Sequence, residues 1–159
     1  MLESLGASAE AAHLQRYQAA QLERRARDFT LREGVVETLE ALRERGMHLG
    51  IVSNIDEDQL DYMLEIAQIG GHFDSALSSE RAQSCKPDPG IFAVALQRAG
   101  CEAREALFVG DTIAQDIVGA NRAGMRSVLI WSRVDRDPPA EEPRPHHVIR
   151  RTSELLALV

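Results

Sequence analysis

The sequence has few cysteines, no long apolar run and no excess of positive charge, and each shortage excludes a class of protein. Its 159 residues include only two cysteines, Cys85 and Cys101, which argues against a disulfide framework and fits a reducing compartment. No apolar run reaches the roughly 18 residues that a membrane-spanning helix needs, and the N-terminus lacks the basic and apolar regions of a signal peptide. We therefore expect a cytoplasmic protein with no membrane partner.

The charge balance and the spacing of the histidines exclude two further classes. The net charge is -7, which disfavours a nucleic-acid partner, although a local cationic pocket for a small anion remains compatible with it. The five histidines do not fall into the spacings of zinc sites. A composition that is 44% hydrophobic and 27% charged suits one soluble globular domain with a packed core.

Short apolar runs alternate with helical patterns over most of the chain. Predicted strands lie in MHLGIVSN, HFDSALSS, EALFVGD, RSVLIWS and HHVIR. Predicted helices begin at Val35, Asp56, Pro89, Ile113 and Thr152, the last one capped by Thr152 or Ser153. Residues 8–28 favour a surface helix, and residues 133–145, with four of the six prolines, favour a loop. The alternation indicates βαβ units with right-handed crossovers and a mostly parallel sheet.

Polar side chains follow the predicted strands where ligands bind in open parallel sheets, at the carboxyl ends. Ser53 and Asn54 end one strand, Asp111 ends another with Asp116 five residues later, and Lys86 lies in the loop after a third. Carboxylates are ligands for Mg²⁺, an ammonium suits phosphate, and the Ser53 hydroxyl and Asn54 amide can donate to phosphoryl oxygens. Together these residues predict a site for a phosphate and a hard cation.

Each of these residues also has a structural interpretation when taken alone. Ser53 and Asn54 are common turn residues, and Lys86 before a proline suits a solvated loop. Asp111 could cap the following helix, and Asp116 could be favoured there by the helix dipole. Their joint occurrence at successive strand ends favours the functional interpretation.

Three segments resemble the second, third and fourth motifs of the haloacid dehalogenase (HAD) superfamily: GIVSN, KPDPGIF and FVGDTIAQDIVGANRAGM. They occur in the family's order, and the resemblance covers residues 34–159. It implies a three-layer, Rossmann-like α/β core with a mostly parallel sheet. It also implies the chemistry of most members, which are Mg²⁺-dependent phosphohydrolases that form an aspartyl-phosphate.

The resemblance assigns a role to each candidate residue. Ser53 would bind the transferred phosphoryl group, with Asn54 beside it, and Lys86 would steady the phosphate and the nucleophile. Asp111 would ligate Mg²⁺, and Asp116 would support the metal site directly, or through Lys86 or water. Within the family, Gly-Asp-Thr favours a phosphatase over a haloacid dehalogenase, so the implied substrate is a small phosphorylated metabolite.

The family's first motif, D-x-D-x-T/V, was not found in the sequence. The only D-x-D sequences are DED at 56–58 and DRD at 135–137, and neither ends an apolar strand near the N-terminus. By resemblance, residues 1–30 correspond to the last helix of a helical cap domain and residues 31–159 to the core. The chain is therefore expected to begin inside the cap, without the nucleophile and without the first, central strand of the sheet.

Loss of a central strand would leave the strands that end at Ser53 and Asp111 with unpaired edges, which recruit other chains. We expect the chain to be poorly stable, to close the gap by rearrangement, or to pair with a second copy or a complementing fragment.

Two functions from different classes fit the sequence. The first is a HAD-type phosphatase whose isolated chain is inactive because the nucleophile is missing. The second is a non-catalytic module that binds phosphate and Mg²⁺ or acts in assembly, which the missing nucleophile favours directly. A haloacid dehalogenase fits less well. A response-regulator receiver domain also fits poorly, because its acidic pair comes early in the chain and its lysine late.

Overall fold

The structure, a computed structural model, describes residues 30–133, 135, 137–138 and 143–159. One compact unit runs from Leu31 to Val159. The predicted helix over residues 8–28 lies outside the described residues, so the proposed division into a cap remnant and a core stays a prediction. Among the described helices, none is both long and apolar enough to cross a membrane.

Strands and helices alternate along this unit as the sequence predicts. The strands are β1 (Gly50–Ser53), β2 (Ser75–Ser78), β3 (Leu107–Gly110), β4 (Arg126–Ile130) and β5 (His147–Ile149). The α-helices are α1 (Val35–Glu44), α2 (Glu57–Ala67), α3 (Ser79–Ala82), α4 (Pro89–Ala99) and α5 (Val118–Arg122). Short 3₁₀ helices occupy Gly70–His72, Ala103–Glu105 and Thr152–Ala157, and one π-helical turn occupies Ile113–Ile117.

The strands form two parallel sheets. β1 pairs with β2, with Ser53 opposite Ser78, and the other three strands pair in the order β3-β4-β5. The prediction of an α/β fold with mostly parallel strands is confirmed. Within the described residues β1 and β3 are both edge strands, and the two do not pair with each other.

Residues of both free edges line one apolar groove. Its volume is about 560 Å³, and its lining includes Gly50, Ile51 and Val52 of β1 together with Leu107, Phe108 and Val109 of β3. Val109 is exposed although it belongs to a strand of the sheet. Among the described residues, no further strand pairs with these two edges, so their backbone groups have no ladder partners in that part of the chain.

The main core joins both sheets to two helices. Phe92 of α4 and Phe108 of β3 are buried and pack edge to face with their ring centroids 4.9 Å apart. Gly119 of α5 lies so close to Phe92 that a Cβ at residue 119 would come within 2.3 Å of the Phe92 ring, so a side chain does not fit there. Leu77 of β2 belongs to the same cluster, so the packing holds β2 and β3 in one core despite the gap between the sheets.

The C-terminal helix differs from its prediction. Residues Thr152–Ala157 form a 3₁₀ helix rather than an α-helix, and Arg151, not Thr152 or Ser153, precedes its first turn. The Glu154 carboxylate accepts from Arg151 N at 2.9 Å and so takes the role of the capping side chain. Leu155 is buried in one cluster with Val128 and Ile149, so the segment packs against β4 and β5.

Candidate functional site

The site is built at the carboxyl ends of β1 and β3. Ser53 is the last residue of β1, and Asp111 directly follows the end of β3. Lys86 comes from the loop between α3 and α4, and its Nζ donates to the Val52 carbonyl at 3.0 Å. The side-chain ammonium therefore lies at the end of β1, beside the residue predicted to bind a phosphoryl group.

Lys86 forms a buried ion pair with Asp116. Lys86 Nζ lies 2.8 Å from Asp116 Oδ1, and the two side chains are 12% and 6% exposed. Within the described residues Oδ1 has no hydrogen-bond partner apart from this contact, so the Lys86 ammonium is the group that compensates its charge. Nζ also lies 5.5 Å from the centroid of the Phe108 ring, whose face attracts cations. Separating a buried pair leaves an uncompensated charge, which costs about 3–5 kcal/mol.

A π-helical turn carries Asp116 into this position. Asp116 N donates to the Thr112 carbonyl at 2.7 Å, and Thr112 N donates back to Asp116 Oδ2 at 3.0 Å. The sequence predicts a helix here but not its π geometry, which is frequent at functional sites. Gly110 makes room for the carboxylate, since a Cβ on this residue would lie 2.3 Å from Asp116 Cβ and Cγ.

Asp111 lies in a more open environment. Its side chain is 61% exposed, and Asp111 Oδ2 is 3.5 Å from Arg32 Nη2. The Thr112 hydroxyl donates to Asp111 Oδ1 at 3.2 Å. Both contacts are with exposed groups, so the carboxylate can exchange them for another cation at little cost.

The two acids therefore fit Mg²⁺ differently. Both oxygens of Asp116 face partners, Lys86 on one side and Thr112 N on the other, whereas Asp111 has an accessible carboxylate. In the described part of the chain no three His, Cys, Asp or Glu residues cluster as metal ligands. Mg²⁺ usually takes one or two carboxylates together with water and phosphate oxygens, so Asp111 fits as its direct protein ligand. Asp116 fits the supporting role through Lys86.

Ser53 and Asn54 lie next to each other but have different surroundings. Within the described part of the chain the Ser53 hydroxyl has no hydrogen-bond partner, which leaves it available to a ligand. The Asn54 side chain binds the Lys86 backbone at two points, with Nδ2 donating to Lys86 O and Oδ1 accepting from Lys86 N. The structure thus brings Ser53, Asn54, Lys86 and Asp116 together, with Asp111 at the neighbouring strand end.

Sequence reasoning missed two features of this site. Arg32 lies outside the strand-end pattern, and nothing in the sequence connects it with Asp111. The second missed feature is that Lys86 is unique in the chain, and the composition shows it. Of the 18 lysine and arginine residues, 17 are arginine, and Lys86 is the only lysine of the chain. A single lysine placed in a buried ion pair suggests that this position requires an ammonium rather than a guanidinium.

Comparisons with known proteins place the chain in a family. Residues 1–130 match the sequence profile of haloacid dehalogenase-like hydrolases. A glyceraldehyde 3-phosphate phosphatase from Methanopyrus kandleri is 38% identical over 128 residues, which are 79% of this chain and 54% of that protein.

Two crystal structures extend the comparison to the fold. A HAD phosphatase from Thermococcus onnurineus has a TM-score of 0.77 and 32% identity, covering 86% of this chain and 61% of that one. A 2-haloacid dehalogenase from Pseudomonas syringae has a TM-score of 0.70 and 30% identity, covering 81% and 53%. Fold similarity therefore does not separate a phosphatase from a dehalogenase.

The chain spans about half the length of the curated relatives it matches, which limits the comparison to the shared region. Within that region the profile match covers well over half of the 159 residues. The resemblance noted in the three motifs is confirmed, and the chain belongs to the haloacid dehalogenase-like hydrolase family.

Proposed function

We propose that this chain carries the phosphate- and metal-binding half of a Mg²⁺-dependent phosphomonoester phosphatase that works through an aspartyl-phosphate. The observation that carries the proposal is the Lys86 ammonium, held at the end of β1 by Val52 O and paired with buried Asp116. A fixed cation beside a free serine hydroxyl is suited to a phosphoryl group. Phosphatases among the relatives support a small phosphorylated metabolite as substrate.

Each residue contributes a separate electrostatic function. The Ser53 hydroxyl donates to a phosphoryl oxygen, and Lys86 places a positive charge next to it. Asp116 keeps the ammonium in place. Two hydrogen bonds to Thr112 fix Asp116, and the ion pair then fixes the Lys86 ammonium against it. Asp111 holds Mg²⁺, and the bound ion would neutralise phosphate charge and orient the transferred group.

The polypeptide of 159 residues is proposed to have little turnover by itself. Aspartyl-phosphate chemistry needs a carboxylate aimed at phosphorus. Asp111 and Asp116 are committed to the metal and to Lys86, and neither DED nor DRD belongs to this site. Asp56 and Asp58 lie at the start of α2, and the Asp137 side chain, 97% exposed, pairs with Arg150.

The groove between β1 and β3 supports a further part of the proposal. Two parallel edges that line one apolar groove suit an additional parallel strand, supplied by a second copy of the chain or by a complementing fragment. The carboxyl end of such a strand would lie near Ser53 and Lys86. Sedimentation velocity over a range of concentrations tests the first source. A well-behaved monomer with rapid amide exchange along both edges would contradict self-association.

One observation favours a second candidate function, a non-catalytic module that binds phosphate and Mg²⁺. The described residues include the hydroxyl, the ammonium and the exposed acid, and the two carboxylates of the site, Asp111 and Asp116, are each paired with a cation. Such a module would bind inorganic phosphate in a Mg²⁺-dependent way and have no turnover in any assembly state.

A phosphatase assay with p-nitrophenyl phosphate and Mg²⁺ tests the proposal. The wild-type chain and Asp111→Ala are both expected to remain near background. Wild-type activity that disappears in Asp111→Ala would contradict the lack of turnover and would establish the enzyme. Background activity combined with no phosphate binding, measured by calorimetry with Mg²⁺ present, would contradict the phosphate site itself.

A further inference from the structure

Asn54 binds both polar backbone groups of Lys86 with one side chain. Asn54 Oδ1 accepts from Lys86 N at 2.7 Å, and Asn54 Nδ2 donates to Lys86 O at 2.9 Å. The two residues are 32 positions apart, so this contact attaches the loop between α3 and α4 to the end of β1. The Asn54 side chain thus bonds the Lys86 N–H and carbonyl as a neighbouring strand's backbone would in a β-sheet.

The Lys86 side chain returns to the same strand. Its Nζ donates to Val52 O at 3.0 Å, two residues before Asn54, and pairs with Asp116 Oδ1 at 2.8 Å. Lys86 is thus bound to the end of β1 at its N–H, its carbonyl and its ammonium. A lysine side chain has several rotatable bonds, so its ammonium can occupy many positions. Fixing the Lys86 backbone reduces the number of these positions.

We propose that Asn54 is a positioning residue whose side-chain amide sets the place of the Lys86 ammonium. The catalytic meaning of this role rests on the proposed function, whereas the positioning itself does not. An amide is the side chain required here, because it offers one acceptor to Lys86 N and one donor to Lys86 O. A carboxylate would set a second acceptor against the Lys86 carbonyl and add negative charge close to Asp116.

The experiment uses the fact that Lys86 is the only lysine in the chain. Pulse acetylation with an amine-selective reagent, followed by mass spectrometry of the peptide that contains residue 86, reports on this ammonium alone. The α-amino group, in a different peptide, serves as an internal reference. Asn54→Ala is expected to raise the acetylation rate of Lys86 about tenfold or more, because two hydrogen bonds are lost together. Asn54→Asp keeps one of the two bonds, so its Lys86 acetylation rate is expected to lie between those of wild type and Asn54→Ala.

Ser84→Ala is the matched control in the same loop. The Ser84 hydroxyl donates to Asp88 Oδ1 at 2.9 Å and accepts from Ile91 N at 3.0 Å, and neither bond involves Lys86. Its loss is expected to lower stability in urea while changing the acetylation rate of Lys86 by no more than about twofold. A loss of stability without a faster Lys86 acetylation in Ser84→Ala would show that destabilising the loop does not by itself expose the amine.

Two results would overturn the proposal. In the first, Asn54→Ala leaves the Lys86 rate within about twofold of wild type, so that the two bonds do not protect the amine. In the second, Ser84→Ala raises the rate as much as Asn54→Ala, so that Asn54 only stabilises the loop. If Asn54→Ala does not fold, Asn54→Asp is read by the same criteria. The assay needs no turnover, so a failure of the phosphatase proposal would leave this result unchanged, and the reverse also holds.

Discussion

Two aspartates that follow β3, Asp116 and Asp111, each form an ion pair, and the two pairs differ in distance and in exposure to solvent. Lys86 and Asp116 are 2.8 Å apart with side chains 12% and 6% exposed. Arg32 and Asp111 are 3.5 Å apart with side chains 42% and 61% exposed. The first pair is enclosed by the Phe108 ring, Gly110 and Thr112, whereas the second is open to water.

The comparison separates a fixed charge from an exchangeable one. An exposed pair contributes about 0–1 kcal/mol, so Asp111 can release Arg32 and take a metal ion. A buried pair is costly to break from one side, so Asp116 keeps its lysine. Two aspartates of one short segment therefore differ in their surroundings, since Asp116 is held by the buried Lys86 ammonium and Asp111 is open to exchange. This difference is the basis of the proposed division of roles.

The largest expected effect comes from removing the buried acid. Asp116→Asn keeps the shape of the side chain but leaves the Lys86 charge uncompensated, so the free energy of unfolding should fall by about 3 kcal/mol or more. Urea denaturation measures it. Asp111→Asn is the matched control and should change stability by at most about 1 kcal/mol. Equal losses in the two variants would contradict the division of roles.

A double variant sharpens this result. Lys86→Met combined with Asp116→Asn removes both charges, so its loss of stability should be smaller than the sum of the two single losses, by about 1–3 kcal/mol. Additive losses would mean that the two side chains do not stabilise each other.

The next effect concerns the space around Asp116. Gly110→Ala places a Cβ about 2.3 Å from Asp116 Cβ and Cγ, so the carboxylate must move away from Lys86. We expect a loss of about 1–3 kcal/mol in thermal or urea unfolding. At Gly71 an added Cβ meets nothing within 4 Å, so Gly71→Ala is the control and should lose far less. Similar losses in both would show that Asp116 does not need this packing.

A smaller effect is expected at the exposed pair. Arg32→Ala removes a cation that competes with Mg²⁺ for Asp111, so Mg²⁺ affinity should rise a few-fold at low salt while stability changes by less than about 1 kcal/mol. Calorimetric titration with Mg²⁺ measures the affinity. A marked loss of Mg²⁺ affinity would mean that Arg32 supports the metal site.

The smallest effect involves a fully exposed acid that is hydrogen-bonded rather than ion-paired. The Gly90 backbone N–H and then the Ser84 hydroxyl hold the pKa of Asp88 below its usual 3.8. Because the folded pKa is depressed, the stability that Asp88 contributes is present above pH 3.8 and is lost as the pH falls through the folded pKa. Unfolding measured against pH should therefore show a shallower acid loss in Asp88→Asn than in wild type. Identical pH profiles would contradict this.

Much of the fold was predictable because its signals are local. The apolar runs ending at Ser53 and Gly110 and the helix that begins at Pro89 appear in the structure where the sequence indicates them. That β1 and β3 do not pair within the described residues was predictable only through the resemblance to a family, since no local pattern gives the strand order of a sheet.

The rest depends on contacts between distant parts of the chain. The two bonds from Asn54 to Lys86 join residues 32 positions apart, and Arg32 reaches Asp111 from the segment before α1. The π turn at Ile113–Ile117 includes a bond from Ile117 N to the Thr112 carbonyl, five residues back, and the Asp116 carboxylate accepts from Thr112 N; no helical periodicity reveals either contact. Propensity and spacing predict elements, whereas these contacts require the packed structure.

The measurement that tests the central claim most directly is the Mg²⁺ dependence of phosphate binding. Calorimetric titration of the chain with inorganic phosphate, with and without Mg²⁺, should show affinity at least about tenfold higher with the metal, because Mg²⁺ on Asp111 and the Lys86 ammonium act on the same anion. Asp111→Ala should abolish the gain. Phosphate affinity that is the same with and without Mg²⁺, or a gain that persists in Asp111→Ala, would contradict the account.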